Sequence, residues 1–140
     1  MLVKIIATDS ELEDAYKVRK KVFVEEQNVP IDLEIDAFEN SAVHFVLYDG
    51  KEPVGAGRVR ELGDVLKVER ICVLDEYRGK GCGKLIMEKT EEIANDKNIK
   101  KLKLNAQTHA EDFYKKLGYE TISNVFMEAD IPHVTMVKTL

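Results

Sequence analysis

The sequence predicts a mixed α/β fold, an α+β arrangement in which helices flank a mostly antiparallel sheet. Residues 43–48 and 53–60 are apolar runs joined by Asp49-Gly50, a strong signal for a hairpin. A second turn at residues 62–64 leads into a third run, residues 65–73, which completes an antiparallel meander. Helical and strand patterns then alternate to the end of the sequence, as in a layered domain of sheet and helices.

The residues before the meander predict one strand and helical structure. Residues 2–6 are apolar and β-branched, which favours a first strand. Asp9 or Ser10 is expected to cap a helix whose apolar residues recur at helical spacing. Helical character continues over residues 20–27, and residues 31–40 are expected to form an acidic loop.

The residues after the meander predict two helices and three strands. These are a helix to about Lys97, a strand at 101–106, a helix at 110–117, and strands at 119–123 and 133–138. Gly118 suits the left-handed position that ends a helix. No repeat, low-complexity segment or linker interrupts the pattern, so we expect one domain over residues 1–140.

The composition is typical of a soluble globular protein. Of the 140 residues, 44% are hydrophobic and 34% are charged, and the net charge of −5 disfavours a protein whose main role is to bind nucleic acid. No apolar run approaches the ~20 residues that cross a bilayer, so we expect no membrane partner and a cytoplasmic location. The two cysteines, Cys72 and Cys82, suit a reducing compartment and are too few for a zinc site, so we expect no metal.

The stretch Arg78-Gly79-Lys80-Gly81-Cys82-Gly83 lies between a predicted strand and a predicted helix. Glycines let the backbone turn tightly and bring its amides close to a phosphate, and the start of the helix adds unpaired amides and a positive dipole end. A turn that merely joins strand to helix is the structural alternative. The pattern favours an anion site of phosphate size.

Two common phosphate-binding motifs do not fit this stretch. A Walker A loop would need glycine where Arg78 stands and a hydroxyl residue where Leu85 stands. A dinucleotide fingerprint would need its last glycine at Lys84 or Ile86, depending on its start. The motif that does fit is Arg/Gln-x-x-Gly-x-Gly/Ala, which resembles the acyl-CoA pyrophosphate loop of the GNAT superfamily.

Three further segments strengthen this resemblance. Residues 114–119 read Tyr-Lys-Lys-Leu-Gly-Tyr and resemble the Tyr-x-x-Leu/Phe-Gly-Phe/Tyr element that follows the fifth strand of the superfamily. Residues 22–27 and the ending Ile131-Pro132-His133 resemble the ElaA/YjcF-like branch. The resemblance covers nearly the whole chain and implies an N-acetyltransferase that moves an acetyl group from acetyl-CoA to an amine.

The resemblance also implies where the acyl donor binds. In this family the fourth and fifth strands splay apart, and the pantetheine arm occupies the gap like another strand. Backbone groups of Ile71, Cys72 and Val73 would pair with it, and the Val73 amide would polarise the thioester oxygen. The remaining implied contacts with the donor come from the glycine-rich loop, the fifth strand and the last helix: Arg78, Gly79, Lys80, Gly81, Cys82, Gly83, Asn105 and Tyr114.

Two residues are implied to be catalytic. Tyr114 occupies the family's general-acid position. A phenol suits this role because it stays protonated at neutral pH and can donate to a thiolate. The alternative is a tyrosine that only packs between helix and sheet. Glu69 is the candidate base, because strand alternation puts it on the face of Ile71 and Val73 unless a bulge intervenes. Its alternative is an ion pair with Arg58 or Arg70 across the sheet.

Other candidates have weaker support. His109 titrates in a useful range but is expected to face solvent, and the cases for His133 and His44 are weaker. Cys72 lies near the expected thioester, but direct transfer is the family's usual route. The acceptor pocket is expected from the first helices and the acidic loop: Arg19, Phe23, Glu25, Glu26, Gln27 and residues 32–36.

The sequence leaves the acceptor and the acyl chain open. The alternatives to an acetyltransferase are an acyl-CoA-binding sensor without catalysis and an enzyme for longer acyl chains that resembles acyl-homoserine-lactone synthases. A homodimer is possible by family analogy.

Overall fold

The computed structural model describes residues 1–140 and contains one eight-stranded sheet. Its strands, in chain order, are β1 Leu2–Ile5, β2 Val43–Asp49, β3 Glu52–Leu62, β4 Val65–Val73, β5 Lys101–Gln107, β6 Glu120–Thr121, β7 Phe126–Glu128 and β8 Ile131–Thr139. The order across the sheet is β1-β2-β3-β4-β5-β8-β6, and β7 also pairs with β8. The predicted antiparallel meander is therefore the β2-β3-β4 part of this sheet.

Four α-helices and several shorter turns connect the strands. The α-helices are α1 Asp9–Arg19, α2 Ile31–Glu34, α3 Cys82–Asp96 and α4 Glu111–Lys116. A π-helix, Lys20–Glu26, continues α1, and 3-10 turns are formed by Glu39–Ser41, Asp75–Tyr77 and Thr108–Ala110. None of the helices is long and apolar enough to cross a membrane.

The sheet is antiparallel except between β4 and β5. These two strands pair in parallel only where Val65–Val68 faces Lys101–Leu104. Beyond that point β4 runs on to Val73 and β5 to Gln107 with no pairing between them. The predicted splay of the fourth and fifth strands and the mixed, mostly antiparallel fold are confirmed.

One cluster of 26 buried residues forms the core on both faces of the sheet. Two glycines of β3 let neighbouring side chains approach the sheet directly. A Cβ at Gly55 would lie 2.8 Å from Ile86 Cδ1 of α3, and one at Gly57 would lie 2.4 Å from the ring of Phe45. Since real Cβ atoms almost never approach so closely, Gly57 requires glycine for packing, whereas a side chain at Gly55 would need the end of Ile86 to shift.

Several predicted element boundaries differ from the structure. Thr8, rather than Asp9 or Ser10, caps α1, because its hydroxyl accepts from the Glu11 amide while the Glu11 carboxylate accepts from the Thr8 amide. The predicted helix at 20–27 is a π-helix, in which the Gln27 amide bonds to the Val22 carbonyl. The expected acidic loop contains α2 and a 3-10 turn.

The strand β7 was not predicted. It forms a tight hairpin with β8 through Ala129 and Asp130, whose φ angles are +51° and +60°. Such turns usually carry glycine or asparagine, and alanine gives no comparable signal in the sequence. β8 consequently starts at Ile131, two residues before the predicted start at His133.

Candidate active site

The diverging ends of β4 and β5 open a cavity of about 750 Å³. The π-helix, α2, the start of α4 and the β7–β8 hairpin complete its walls. Seven of the predicted site residues line it: Glu69, Ile71, Cys72, Val73, Arg78, Asn105 and Tyr114. Residues 79–83 of the glycine-rich loop are not among its lining residues, so the loop forms a separate part of the predicted site.

The backbone of β4 presents amides to this cavity. The Leu74 amide donates to the Val54 carbonyl of β3 over 2.9 Å. Because successive amides of a strand point to opposite sides, the Val73 amide points away from β3, towards the gap. By the same alternation the Cys72 amide points towards β3. The structure therefore favours Val73 over Cys72 as a backbone donor in the gap.

A bulge at Arg70 changes which side chains of β4 share a face. Arg70 has a φ angle of +58°, and the register with β3 shifts so that Arg58 faces Glu69 while Ala56 faces Cys72. Since Ala56 and Arg58 lie two residues apart on β3, Glu69 and Cys72 are on one face of the sheet. The predicted common face of Glu69, Ile71 and Val73 is therefore wrong, and the reason is the bulge.

Glu69 is tied to two arginines. Its carboxylate lies 2.6 Å from Arg60 Nε and 3.2 Å from Arg58 Nε. Burial alone would raise the pKa of Glu69, but the hydrogen bonds and charges of the two guanidinium groups outweigh it and lower that pKa. The predicted pairing alternative is thus present with Arg58, and with Arg60 in place of Arg70.

Tyr114 projects from α4 into the cavity with its side chain 8% exposed. Its hydroxyl forms no hydrogen bond with another residue, and its ring packs edge-on against Phe113 and Tyr119. Burial, together with the nearby Cys72 thiol, raises the pKa of Tyr114. The hydroxyl is therefore protonated at neutral pH and free to donate.

Cys72 lines the cavity beside Tyr114 but is a poor nucleophile. Its thiol is buried and contacts the Ala56 carbonyl at 3.9 Å. Burial raises the pKa of the Cys72 thiol to about 12, so very little thiolate is present at neutral pH. This geometry disfavours an acyl-cysteine intermediate.

The glycine-rich loop has two left-handed glycines with open space around them. Gly79 and Gly81 have φ angles of +74° and +81°, and a Cβ at either position would have no atom within 4 Å. α3 begins directly afterwards, and no side chain caps its N-terminus at Gly81. The first amides of the helix therefore have neither intrahelical nor side-chain acceptors, and such amides fit a phosphate group.

Three loop residues have more specific surroundings. Gly83 lies against Phe113, because a Cβ there would be 3.0 Å from the ring. The Cys82 side chain is buried, with its sulfur 3.6 Å from that of Met1, so only its backbone can serve an anion. Arg78 donates from Nε to the Val73 carbonyl at 3.0 Å and pairs with Glu26 at 3.0 Å. Arg78 thereby links the loop to the end of β4 and to the π-helix.

On the β5 side, Asn105 and a chain of three polar residues line the cavity. Asn105 Oδ1 accepts from the Thr135 hydroxyl at 2.9 Å, and β5 ends at Gln107, one residue beyond the predicted strand. His109 Nε2 and Gln107 Oε1 are 2.6 Å apart, and the Gln107 and Gln27 side chains are hydrogen-bonded at 2.8 Å. This chain connects the start of α4 with the π-helix across the cavity.

The other two histidines have different environments. His133 lines the cavity, donates from Nδ1 to the Ile131 carbonyl at 2.7 Å and lies with Nε2 3.5 Å from Glu128. His44 lies outside the cavity lining, and its Nε2 donates to the Glu39 carbonyl at 2.7 Å. His133 thus has a better position than the sequence indicated, since its place opposite Gln107 depends on the β5–β8 register.

The acidic segment expected to bind a cationic acceptor is used within the protein. Glu34, Asp36 and Glu39 pair with arginines from α1, β3 and β4. The contacts are Arg19 with Glu34 and Glu39, Arg58 with Asp36 and Glu39, and Arg70 with Glu34 and Asp36, all between 2.8 and 3.3 Å. Together with Glu69 and Arg60, this ion-pair network contains four carboxylates and four guanidinium groups. Of the acidic residues between 32 and 39, only the exposed Asp32 forms no ion pair.

Comparisons with known proteins agree with the fold and the motifs. Residues 7–140 match the family described as an acetyltransferase (GNAT) domain. The chain is 48% identical over 139 residues to the uncharacterized N-acetyltransferase YjcF of Bacillus subtilis, covering 99% of each. It is 31% identical over 134 residues to protein ElaA of Escherichia coli, covering 92% of this chain and 88% of ElaA.

Solved structures show the same architecture. The crystal structure of Escherichia coli ElaA has a TM-score of 0.89 with 28% identity, covering 99% of each chain. An aminoglycoside 6′-N-acetyltransferase complexed with coenzyme A has a TM-score of 0.80 and covers 99% of this chain and 97% of that one, with 16% identity, which shows the fold alone. The chain therefore belongs to the GNAT acetyltransferase family, in the branch that includes YjcF and ElaA, and is an acyltransferase that uses acetyl-CoA.

Proposed function

We propose that this protein transfers an acetyl group from acetyl-CoA to a primary amine of an acceptor that its relatives do not identify. The observation that carries the proposal is a single cavity that contains the unpaired Tyr114 hydroxyl and the gap-facing amide of Val73. A proton donor and an oxyanion donor are what thioester aminolysis requires of a protein.

The residues present fit the donor. Coenzyme A would lie with its pyrophosphate on the amides of residues 79–83 and its pantetheine arm in the gap between β4 and β5. When bound, acetyl-CoA supplies a thioester carbonyl and a thiolate leaving group. The Val73 amide would hold the developing oxyanion, and Tyr114 would protonate the departing sulfur.

The proton of the attacking amine needs a separate acceptor. Glu69 stays a prediction for this role, but its two arginine partners and its lowered pKa disfavour proton uptake at neutral pH. His133 lies along the same cavity, and the Ile131 carbonyl fixes its proton on Nδ1. We propose His133 as the second candidate for the base, acting directly or through water.

Direct transfer within a ternary complex is the route that the site supports. A covalent route would need a nucleophile, and the raised pKa of Cys72 withholds its thiolate. The wide gap alone does not select acetyl over longer chains.

The proposal is tested by incubating the protein with acetyl-CoA and a broad panel of amines while free coenzyme A thiol is measured. We expect thiol release that depends on both the protein and a particular amine. Parallel reactions with octanoyl-CoA compare acyl chains, and calorimetry measures acetyl-CoA binding separately. Binding without turnover across the panel would favour the sensor, and the absence of binding would contradict the proposal.

A further inference from the structure

The face of the sheet that carries Glu69 also carries three cations side by side. Lys67 of β4 is in register with Arg60 of β3 and with Lys103 of β5. Residues in register on neighbouring strands direct their side chains to the same face. Like charges directly opposite each other destabilise a sheet. We call Arg60, Lys67 and Lys103 the cationic row.

The protein neutralises only one member of this row. Arg60 pairs with Glu69 at 2.6 Å, but Glu69 is also shared with Arg58. Neither Lys67 nor Lys103 has a carboxylate oxygen within 4.0 Å. Neither lysine therefore forms an ion pair within the chain, and Lys67 interacts with Glu69 only through longer-range attraction.

No other carboxylate of the cavity wall forms an ion pair with Lys67. Glu34 and Asp36 belong to the ion-pair network described above, and Glu128 lies 3.5 Å from His133. Lys67 lines the same cavity as Tyr114 and Val73. The cavity wall thus carries a lysine without a close carboxylate partner, at some distance from the predicted site of acetyl transfer.

The position of Lys67 along β4 limits the shape of a ligand that reaches both points. Lys67 precedes Val73 by six residues of the same strand. At about 3.3 Å per residue the two Cα atoms are at most on the order of 20 Å apart, and the bulge and the length of the lysine side chain reduce the distance to its ammonium group. An anion bound at Lys67 would therefore be separated from the reacting amine by several bonds. In an α-amino acid, by contrast, the carboxylate and the amine are attached to the same carbon atom.

We propose that the cationic row binds an anionic group, a carboxylate or a phosphate, of the amine acceptor, and that Lys67 determines this specificity. The inference rests on the proposed acetyl transfer. It adds the class of acceptor: a flexible molecule with a primary amine at one end and an oxyanion at the other.

Matched acceptors test the proposal. Four acceptors present a primary amine on a similar chain and differ at the other end. Hexylamine has no second charge, 6-aminohexanoate has a carboxylate, 6-aminohexyl phosphate has a phosphate, and cadaverine has a second cation. For the wild-type protein with acetyl-CoA, we expect kcat/KM to be at least about tenfold higher for one of the two anionic amines than for hexylamine. The carboxylate and phosphate arms show which anion is preferred.

Variants of Lys67 connect any such preference to the row. In Lys67→Gln, kcat/KM for the anionic amines is expected to fall about tenfold with little change for hexylamine, and Lys67→Arg is expected to restore most of the preference. Lys67→Glu is expected to turn the preference towards cadaverine. Lys51→Gln, which removes a charge from the exposed β2–β3 turn, is the matched control and leaves all four values unchanged.

Binding measurements separate a failure of this inference from a failure of the proposed function. Calorimetry of the protein with coenzyme A and 6-aminohexanoate or 6-aminohexyl phosphate is expected to show binding that weakens about tenfold in Lys67→Gln. Such binding without turnover would contradict the acetyltransferase proposal and leave the anion subsite standing. No preference of the wild type for an anionic amine in either assay, or an equal preference in Lys67→Gln, overturns the inference.

Discussion

At the scale of single residues, the cavity contains a tyrosine whose environment differs from that of its neighbour. Tyr114 and Tyr119 are both buried, and their ring centroids are 5.9 Å apart. The Tyr119 hydroxyl is also without a hydrogen bond, but Tyr119 does not line the cavity. The two residues therefore share burial and a raised pKa and differ in access to the thioester gap.

Tyr114→Phe is expected to lower turnover by roughly 100-fold, because general-acid assistance of the leaving group contributes on that scale. Acetyl-CoA affinity should hold, since the ring and its packing remain. The measurement is steady-state thiol release together with calorimetric binding. Tyr119→Phe is the matched control and should retain full activity; unchanged turnover in Tyr114→Phe would remove that hydroxyl from the mechanism.

Sequence motifs indicated which residues lie along the gap, but they did not indicate correctly which way the side chains point. Ile71, Val73 and Tyr114 could be assigned from motif position, and the structure places all three along one cavity. The face of Glu69 could not be predicted, because it depends on one extra residue at Arg70, which adopts a left-handed conformation without being glycine. Alternation predicts faces only for a strand of unbroken register.

At the scale of elements, the glycine-rich loop and α3 form the part of the site that the sequence predicted most directly. The spacing of the loop indicated a phosphate-sized anion site, and the structure has an uncapped helix start next to two left-handed glycines. Local chemistry suffices here because the loop and the helix are adjacent in the chain.

Gly81→Ala is expected to weaken acetyl-CoA binding by roughly 5- to 30-fold. A left-handed conformation costs a residue with a Cβ about 1–2 kcal/mol, so the free loop of the variant relaxes and binding must restore the conformation. The Cβ itself meets no atom within 4 Å, so steric exclusion contributes nothing before the ligand binds. Gly81→Asn is the control, since asparagine tolerates this conformation better. Calorimetric titration of both variants tests the expectation, and equal affinities of Gly81→Ala and wild type would contradict it.

The elements around the acceptor side were harder to predict for a physical reason. The π-helix Lys20–Glu26 keeps a helical residue pattern and differs only in its hydrogen bonds, so periodicity does not reveal it. α2 is only four residues long, and its last residue, Glu34, is held by Arg19 of α1 and Arg70 of β4 rather than by a pattern in its own sequence. Such elements depend on tertiary contacts that become visible only when the sheet is assembled.

At the scale of the whole molecule, the ion-pair network joins segments that are far apart in the sequence. Arg19 of α1 and Arg58 of β3 are both 0% exposed, and they meet at Glu39. Removing one partner of such a buried group leaves an uncompensated charge, which is costly. Single charged residues in a sequence do not reveal their partners, so the pairing of Glu34, Asp36 and Glu39 within this network could not be foreseen.

The network predicts how stability depends on pH. Burial alone would raise the pKa of Asp36 and Glu39, but hydrogen bonds from Arg58 to Asp36 and from Arg19 to Glu39 outweigh it and lower each pKa to about 2, from ordinary values of 3.8 and 4.5. Because both folded pKa values lie below the unfolded ones, their stabilisation is complete above about pH 5 and is lost as the pH falls towards 2.

We therefore expect the melting temperature to be nearly constant from pH 7 to about pH 5 and to fall steeply below pH 4.5, with each carboxylate contributing on the order of 2 kcal/mol. Calorimetric unfolding across this range measures the effect. Asp36→Asn, which keeps the size of the side chain but cannot ionise, should be less stable at pH 7 and show a shallower fall below pH 4.5. An identical fall in the variant would contradict this expectation. It would show that Asp36 takes up no proton on acid unfolding and that other carboxylates account for the acid sensitivity.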